Sequence, residues 1–240
     1  VYAWGNNDQG QLGDGSFTSS LTGIATSITD AVDIAAGHEF SVAALTTGAV
    51  MTWGKNDLGQ LGQGNFATTN FPFAIVGLTN MVKVSAGENH VLALRDDGTV
   101  YSWGDNTFGQ LGDGTFVSSN VPVLIPGLSG VASVHTGDNH SFAVDSTGQL
   151  FVWGSNAHGQ LGVNGILFSE TPILNTIPNV EAADGGTDHS IVLTTNQKVY
   201  TFGNNDFGQL GNGTLVSEYN PQKMDTLDAV VHVEAAFYQT

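Results

Sequence analysis

The stretch WGKNDLGQLGQG, residues 53–64, is one of five copies of the same twelve-residue phrase. The copies begin at Trp4, Trp53, Trp103, Trp153 and Phe202, so the spacings between them are 49, 50, 50 and 49 residues. A period this regular indicates one supersecondary unit repeated in tandem. The phrase therefore decides the fold, whereas function in a repeat scaffold rests on the positions that vary.

Short apolar runs accompany each phrase. In the second unit they are residues 50–53, 72–75, 82–84 and 91–94, rich in β-branched and aromatic side chains and bounded by Gly, Asn, Asp or Pro. The dipeptide Asp97-Gly98, between two such runs, is a hairpin signal. Four short strands per unit predict an all-β fold, a β-propeller with four-stranded antiparallel blades of about 50 residues.

The whole chain is interpreted as one repeat array over residues 1–240. Its units lie near 1–49, 50–99, 100–149, 150–198 and 199–240, which makes four full repeats and most of a fifth. We expect the array to be part of a larger ring. Three ways to complete that ring stay open: further sequence, a second chain, or closure with fewer blades.

The repeated phrase is interpreted as architecture, since a catalytic site is needed once and not five times. Its aromatic residue and its leucine are expected to pack inside and between blades. These structural positions are Trp4, Trp53, Trp103, Trp153 and Phe202, with Leu12, Leu61, Leu111, Leu161 and Leu210. The asparagine three residues after each aromatic is expected to close a turn onto its own backbone. A further apolar position is expected to be core: Phe17, Phe66, Phe116 and Leu215.

The composition disfavours some classes of binding partner and favours others. The chain has 22 Asp+Glu against 5 Lys+Arg and a formal net charge of −17. Nucleic acid and anionic membranes are disfavoured, because both are bound through many cationic side chains. A basic protein partner would instead be attracted. The Lys-poor, Gly/Ser/Thr/Asn-rich composition favours an extracellular or cell-surface microbial protein over a cytoplasmic one.

The sequence contains no recognisable catalytic or metal-binding motif. Without cysteine there are no disulfides, thiolate metal sites or cysteine nucleophiles. His90, His140 and His189 recur once per unit, which is more typical of a buried structural histidine than of a metal ligand. No alternating carboxylates form a calcium loop. We therefore expect no catalytic residue, no cofactor and no metal, and hence no enzyme.

The units resemble regulator-of-chromosome-condensation repeats. That family pattern contains aromatic-Gly-x-Asn-x-x-Gly-Gln-Leu-Gly, followed by Gly-x-x-His-Ser at a strand start. This chain has the second motif complete at residues 137–141 and 186–190, whereas Phe40 and Gln239 replace the histidine in the first and last copies. The resemblance implies a propeller of the seven-bladed type and, by analogy with secreted bacterial members, binding of a protein through one face.

Function is expected at positions that vary within the fixed frame. One set lies inside Gly-x-x-His and the other five residues after the phrase aromatic. The candidate partner-binding residues are Glu39, Glu88, Asn89, Asp138, Asn139, Asp188, Phe237, Tyr238, Leu58, Phe108, His158 and Phe207.

The first hypothesis is a non-catalytic scaffold that presents one loop face to a protein partner. The alternative is a structural or assembly module of a larger surface protein or oligomer, completed by further copies or repeats. A GTPase exchange factor, the best-known role in the family, is disfavoured by the acidity and because no spacing leaves room for an inserted wedge.

Overall fold

The chain folds into β-strands joined by turns and loops in a computed structural model that describes residues 1–236 and 239. The described residues contain eighteen strands and no helix. The first two strands, β1 (Tyr2–Gly5) and β2 (Ser20–Ala25), form a two-stranded antiparallel sheet. The other sixteen form four four-stranded antiparallel sheets, each a blade made of consecutive strands. The predicted propeller fold with four-stranded blades is confirmed.

The four blades repeat one topology. Blade 1 contains β3 (Ala31–Ala36), β4 (Phe40–Leu45), β5 (Val50–Gly54) and β6 (Thr69–Ala74). Blade 2 contains β7 (Met81–Ala86), β8 (His90–Arg95), β9 (Val100–Gly104) and β10 (Ser119–Leu124). Blade 3 contains β11 (Val131–Thr136), β12 (His140–Asp145), β13 (Leu150–Ser155) and β14 (Phe168–Leu174). Blade 4 contains β15 (Val180–Gly185), β16 (His189–Thr194), β17 (Val199–Gly203) and β18 (Glu218–Lys223).

The first strands of the blades lie innermost and side by side: β3 contacts β7, β7 contacts β11, and β11 contacts β15. Each blade combines the last two strand runs of one sequence unit with the first two of the next. Blade 1, for example, spans residues 31–74. The repeated phrase therefore lies between the third and fourth strands of a blade, where it can contact the blade that follows.

The phrase joins neighbouring blades. The Trp103 indole N–H of blade 2 donates to the Gln60 carbonyl of blade 1 over 3.0 Å. Gly62 has a φ of +66°, and a Cβ there would lie 2.8 Å from the indole nitrogen, so the ring rests directly on the glycine backbone. Leu61 is fully buried in a cluster that includes Trp103 and Val91. The joint repeats with Trp53 on Gln11, at 2.8 Å, and Trp153 on Gln110, at 2.9 Å.

The phrase asparagine acts over a longer range than an Asx turn. The Asn56 Oδ1 accepts the Leu61 N–H at 2.9 Å, and the Asn56 Nδ2 donates to the carbonyls of Asn65 and Ala67. Because the side chain is fully buried, its amide takes the place of water as the hydrogen-bond partner of these loop backbone groups. The expected turn of the asparagine onto its own backbone is thus wrong: its side chain bonds the backbone of residues 61, 65 and 67 and so shapes the loop that follows it.

This arrangement also explains why Phe17, Phe66, Phe116 and Leu215 are not core. Their exposed fractions are 53%, 61%, 45% and 65%. In the second phrase the carbonyls of Asn65 and Ala67, on either side of Phe66, both face Asn56. The loop therefore turns its backbone inward and leaves the Phe66 side chain outside.

The aromatic positions of the phrase are not all equivalent. Trp53, Trp103, Trp153 and Phe202 are at most 2% exposed, whereas Trp4 is 66% exposed. Trp4 lies on β1, which among the described strands pairs with β2 alone. The part of the chain that the structure describes contains no helix able to cross a membrane.

We predict that Trp103→Ala lowers the free energy of unfolding by about 3–5 kcal/mol, because it removes a buried indole and its hydrogen bond between blades. Trp4→Ala, the same change at the same phrase position, is the control and leaves stability nearly unchanged. The measurement is the midpoint of denaturant unfolding for both variants. Equal losses in the two would contradict the assignment of the joint as the source of stability.

Candidate functional site

The turns between the first and second strands of the blades meet around the propeller axis. These turns carry the variable pairs His38-Glu39, Glu88-Asn89, Asp138-Asn139 and Thr187-Asp188, here called the tips. They surround an axial cavity of about 550 Å³, whose wall is built largely from Ala and Gly backbone. The cavity is open because the Ala and Gly residues that line it are too small to fill it.

Main-chain hydrogen bonds connect the tips of successive blades. The His38 N–H donates to the Glu88 carbonyl at 3.2 Å, and the Glu88 N–H donates to the Asp138 carbonyl at 3.0 Å. The Asp138 N–H continues the series to the Gly186 carbonyl at 3.2 Å. Because these bonds use only backbone atoms, the side chains at the tips are free to differ between blades.

The second set of variable positions lies at the same end of the propeller. The N–H of the second residue after the aromatic donates to the tip carbonyl of the same blade, as in Lys55 to Glu39 at 2.9 Å and Asn204 to Asp188 at 2.7 Å. The phrase turns therefore flank the tips. Of the variable phrase residues, Leu58, Phe108 and Phe207 are 37%, 41% and 70% exposed, and His158 is half-buried.

Most of the residues predicted from sequence thus meet on one end, here called the tip face. It contains Glu39, Glu88, Asn89, Asp138, Asn139, Asp188, Leu58, Phe108, His158 and Phe207. The charged and amide members are half-buried. Phe237 and Tyr238 lie outside the described residues.

The phrase glutamine is a site residue that sequence reasoning missed. The Gln60 Oε1 accepts the Leu58 N–H at 2.9 Å, and the Gln60 Nε2 donates to the Asn89 Oδ1 of the next blade at 3.3 Å. Gln160 does the same for His158 and for Asp188, at 2.9 and 3.0 Å. One side chain thus positions both variable sets. Its presence in all five phrases was the available signal.

The electrostatics of the tip face are dominated by carboxylates. Burial raises the pKa of Asp138, and the negative charges of Glu88 and Asp188 raise it further. Burial also raises the pKa of Asp188, partly offset by His158, whose Nε2 lies 3.9 Å from that carboxylate. Among the described tip carboxylates, only that of Glu39 pairs with a lysine, Lys55 at 2.9 Å, which also lies 3.7 Å from Asp57 on the phrase turn.

Lysine and arginine are scarce around this acidic end. Its carboxylates repel one another, and Asp138 is partly withdrawn from water. A cation brought to the axis would relieve both effects, since an opposite charge favours the ionised form of a carboxylate. The arrangement is suited to electrostatic attraction of a basic partner surface. Among the described residues, no cluster of three His, Asp or Glu side chains could hold a metal ion.

The recurring histidines lie behind the tips and join blades. His90 and His140 are fully buried, and their Nε2 atoms share hydrogen bonds of 2.9 and 3.0 Å with Ser141 and Ser190. The Ser141 hydroxyl donates to the Gln110 carbonyl, so its oxygen accepts from His90, which fixes the neutral Nε2–H tautomer. Among the residues that the structure describes, the Nδ1 atoms of both rings have no hydrogen-bond partner.

These histidines are uncharged in the fold. Burial lowers the pKa of His90 to about 4 and that of His140 to about 3, in the latter case together with the positive charges of the neighbouring histidines.

The pKa of Asp184, on β15, is also shifted by burial, which raises it to about 6 although the Asp184 Oδ2 accepts the Ala235 N–H at 2.8 Å.

Comparison with known proteins places the chain among propellers. The family model described as RCC1-like domain matches residues 1–239. The solved structure of human WBSCR16 is 25% identical, with a TM-score of 0.88, and the match covers 99% of this chain and 65% of that one. Yeast RCC1 (Prp20) bound to Kap60 is also 25% identical, with a TM-score of 0.85 and coverage of 99% and 62%.

Another structure of Prp20p, from Saccharomyces cerevisiae, is 25% identical with a TM-score of 0.86, covers 99% and 64% of the two chains, and is described with binding to Gsp1p and histones. This chain therefore spans less than two thirds of the length of these structures. Among curated proteins, none matches the sequence.

We predict that the protein loses stability as the pH falls from about 6.5 to 4. In this window an unfolded histidine, with its ordinary pKa near 6.5, binds a proton that buried His90 and His140 cannot. Asp184 has the opposite effect on stability, because its pKa is raised in the fold and the proton that stabilises its buried carboxyl is lost as the pH rises through about 6. Burial lowers the pKa of four histidines, His90, His135, His140 and His189, and raises the pKa of three aspartates, Asp138, Asp184 and Asp188, so the acid loss is expected to dominate.

The variant His140→Phe tests this assignment, because Phe40 occupies the same position in blade 1 and is only 1% exposed. The melting temperature of the variant, followed from pH 7 to pH 4, is expected to fall less steeply than that of the wild type. His232→Phe, at an imidazole whose side chain is 72% exposed, is the control. If the melting temperature of His140→Phe falls with pH as steeply as that of the wild type, His140 is not a cause of the acid loss of stability.

Proposed function

Because the chain belongs to the RCC1-like domain family, we propose that it is a non-catalytic scaffold that binds a protein partner through its tip face. The observation that carries the proposal is the convergence of the two variable sets on one end of the propeller. The repeated residues that surround them, such as Gln60 and Asn56, are buried and form the hydrogen bonds of the frame.

The contrast between frame and tips supports binding over packing. The tip pair changes from His38-Glu39 to Thr187-Asp188 while the backbone bonds that connect the tips persist. A position held by packing would keep its volume and polarity from blade to blade. A position that faces a partner can change, because each blade meets a different part of that partner.

The side chains indicate the chemistry of the partner. Carboxylates lie near the axis, and the exposed apolar residues Leu58, Phe108 and Phe207 lie on the phrase turns beside them. A complementary surface would place lysine or arginine at its centre and apolar or aromatic groups around it. Aromatic contacts supply much of the affinity in protein interfaces, and opposite charge supplies orientation and association rate.

The related structures fit this reading at the level of the family. Yeast RCC1 (Prp20) is described with Kap60, Gsp1p and histones, all of them proteins. A GTPase exchange role for this chain is disfavoured, because it is strongly acidic and its repeat spacings leave no room for an inserted wedge. A structural module of a larger surface protein remains the alternative. On the basis of the Lys-poor, Gly/Ser/Thr/Asn-rich composition, we also propose an extracellular or cell-surface location.

We predict that neutralising the tip carboxylates abolishes partner binding and leaves the fold intact. The test variant changes Glu39, Glu88, Asp138 and Asp188 to their amides, which keeps side-chain shape. The control variant makes the same number of amide changes at exposed residues away from the tip face: Asp96, Asp97, Glu181 and Asp228. Both variants have the same net charge, so a difference between them reports position and not total charge.

The measurement is affinity capture from an extract of the source organism with wild-type, tip-variant and control baits, with captured proteins quantified by mass spectrometry. Proteins held by the wild-type and control baits, and released from the wild type by salt, are expected to be missing from the tip-variant bait. If the tip variant retains the same proteins at a wild-type melting temperature, the tip face is not the binding site.

A further inference from the structure

The chain has a single arginine, and it borders a cavity between blades 1 and 2. Arg95 is the last residue of β8, which starts at a tip, so it lies toward the end of the propeller opposite the tip face. The cavity has a volume of about 380 Å³, and its wall includes Tyr101, Leu78, Val121 and Pro122. None of the described residues that line it is an aspartate or a glutamate, although the chain has 22 of them. We call this cavity the arginine pocket.

The guanidinium group of Arg95 is fixed in position and still has free donors. Its Nε donates to the Thr79 carbonyl at 3.3 Å, and its Cζ lies over the Tyr101 ring, 4.6 Å from the ring centroid. Within the described part of the chain, its two Nη atoms donate no hydrogen bond and no carboxylate pairs with it. Because a stacked guanidinium keeps its N–H groups at its edge, it can bind a carboxylate through two parallel hydrogen bonds.

The acidic neighbour Asp97 does not take the place of such a ligand. Its Oδ1 accepts the Thr99 N–H at 3.0 Å and the Thr99 hydroxyl at 2.7 Å, which stabilises the hairpin turn between β8 and β9. In blade 3 the corresponding turn is stabilised by Asp145, which occupies the register position of Arg95. Blade 2 therefore has its turn carboxylate two residues later, and it has a guanidinium where blade 3 has a carboxylate.

A second change in the wall of the pocket also removes negative charge. Gln63 lies ten residues after the phrase aromatic, where the next phrase has Asp113. The Gln63 Nε2 donates to the carbonyl and the hydroxyl of Thr52, at 3.2 and 3.1 Å, so a neutral amide is fixed in this wall. The joint between blades 2 and 3 has Asp113 and Asp145 at the two positions that Gln63 and Arg95 occupy here. Two carboxylates are thus replaced by an amide and a cation at this joint.

We propose that the arginine pocket binds a ligand that carries a carboxylate on an apolar or aromatic body, at a site separate from the tip face. The Nη atoms of Arg95 donate to the carboxylate, and Leu78, Val121 and Pro122 contact the apolar body. The volume falls in the range of about 300–1,000 Å³ that is typical of small-molecule sites. Free carboxylic acids and the C-terminal carboxylate of a peptide share this chemistry.

The net charge of the chain does not prevent this binding. A formal charge of −17 repels anions at long range, but that repulsion is screened beyond about 8 Å at physiological ionic strength. The paired hydrogen bonds to a guanidinium act at contact distance and are strengthened by the opposite charges. The tip face and the arginine pocket therefore bind ligands of opposite charge, and failure of one proposal leaves the other intact.

Nuclear magnetic resonance of the isotope-labelled protein tests the proposal, because a single arginine gives a single arginine Nε–H resonance. The probe is N-acetylphenylalanine, titrated in about 0.15 M salt. It is expected to shift that resonance and the amides of Gly62 and Gly64, which line the pocket, with a Kd of about 0.1–1 mM for a ligand of this size. The carboxamide of the same compound, which lacks the charge, should bind at least tenfold more weakly.

Variants assign the binding to the guanidinium. Arg95→Gln is expected to raise the Kd at least tenfold, as followed by the amides of Gly62 and Gly64. Lys223→Gln makes the same change in net charge at an exposed lysine and is the control that keeps the wild-type Kd. Arg95→Lys, which keeps the charge without the paired donors, should bind with an intermediate Kd, and it replaces Arg95→Gln if melting shows that the latter does not fold.

The peptide Gly-Gly-Phe distinguishes the two sources of the carboxylate. Tighter binding of this peptide than of N-acetylphenylalanine assigns the pocket to a peptide C-terminus, and weaker binding assigns it to a free acid. The proposal is overturned if N-acetylphenylalanine shifts neither the Arg95 resonance nor the glycine amides up to about 10 mM. It is also overturned if the carboxamide binds as tightly as the acid, or if a folded Arg95→Gln variant keeps the wild-type Kd.

Discussion

The structure depends on a joint in which an aromatic ring rests on a glycine of the preceding phrase, and in the three tryptophan joints the indole N–H also donates to the glutamine carbonyl of that phrase. It brings a large apolar ring, a glycine that lets the ring approach and a buried leucine to the same point. Each blade alone would leave one face of its sheet uncovered, and the joint covers that face with the next blade. Stability is therefore a property of neighbours, and the buried asparagine that shapes the phrase loop serves this contact.

The same frame explains why some residues repeat in every blade while the residues at the tips differ from blade to blade. Amide side chains satisfy the loop backbone from inside, and main-chain bonds connect the tips across blades. Neither task uses the side chains at the tips. Carboxylates, amides and apolar groups can therefore collect on one end without any change in the architecture that presents them.

Much of this could be predicted from sequence, because the information is periodic. The spacing of the phrase identified the fold, and variation within the frame identified tips and phrase turns that the structure brings together. What periodicity could not show is which side of a loop a residue takes. Phe66 was expected to be core, yet its neighbours turn their carbonyls to Asn56 and place the ring outside. Trp4 differs from Trp103 only in its neighbours, which no single phrase encodes.

The tip ring made of backbone bonds has a consequence for how such a surface can change over evolutionary time. Each tip pair can be replaced without loss of the backbone bonds between blades, although the bonds from Gln60 to Asn89 and from Gln160 to Asp188 depend on the side chain present. Changes at neighbouring tips that share a hydrogen bond, as Asn139 and Glu88 do, should be coupled, whereas changes on blades that do not touch should have nearly independent effects on affinity. Recognition of a new partner can therefore be reached one blade at a time, through intermediates that all fold.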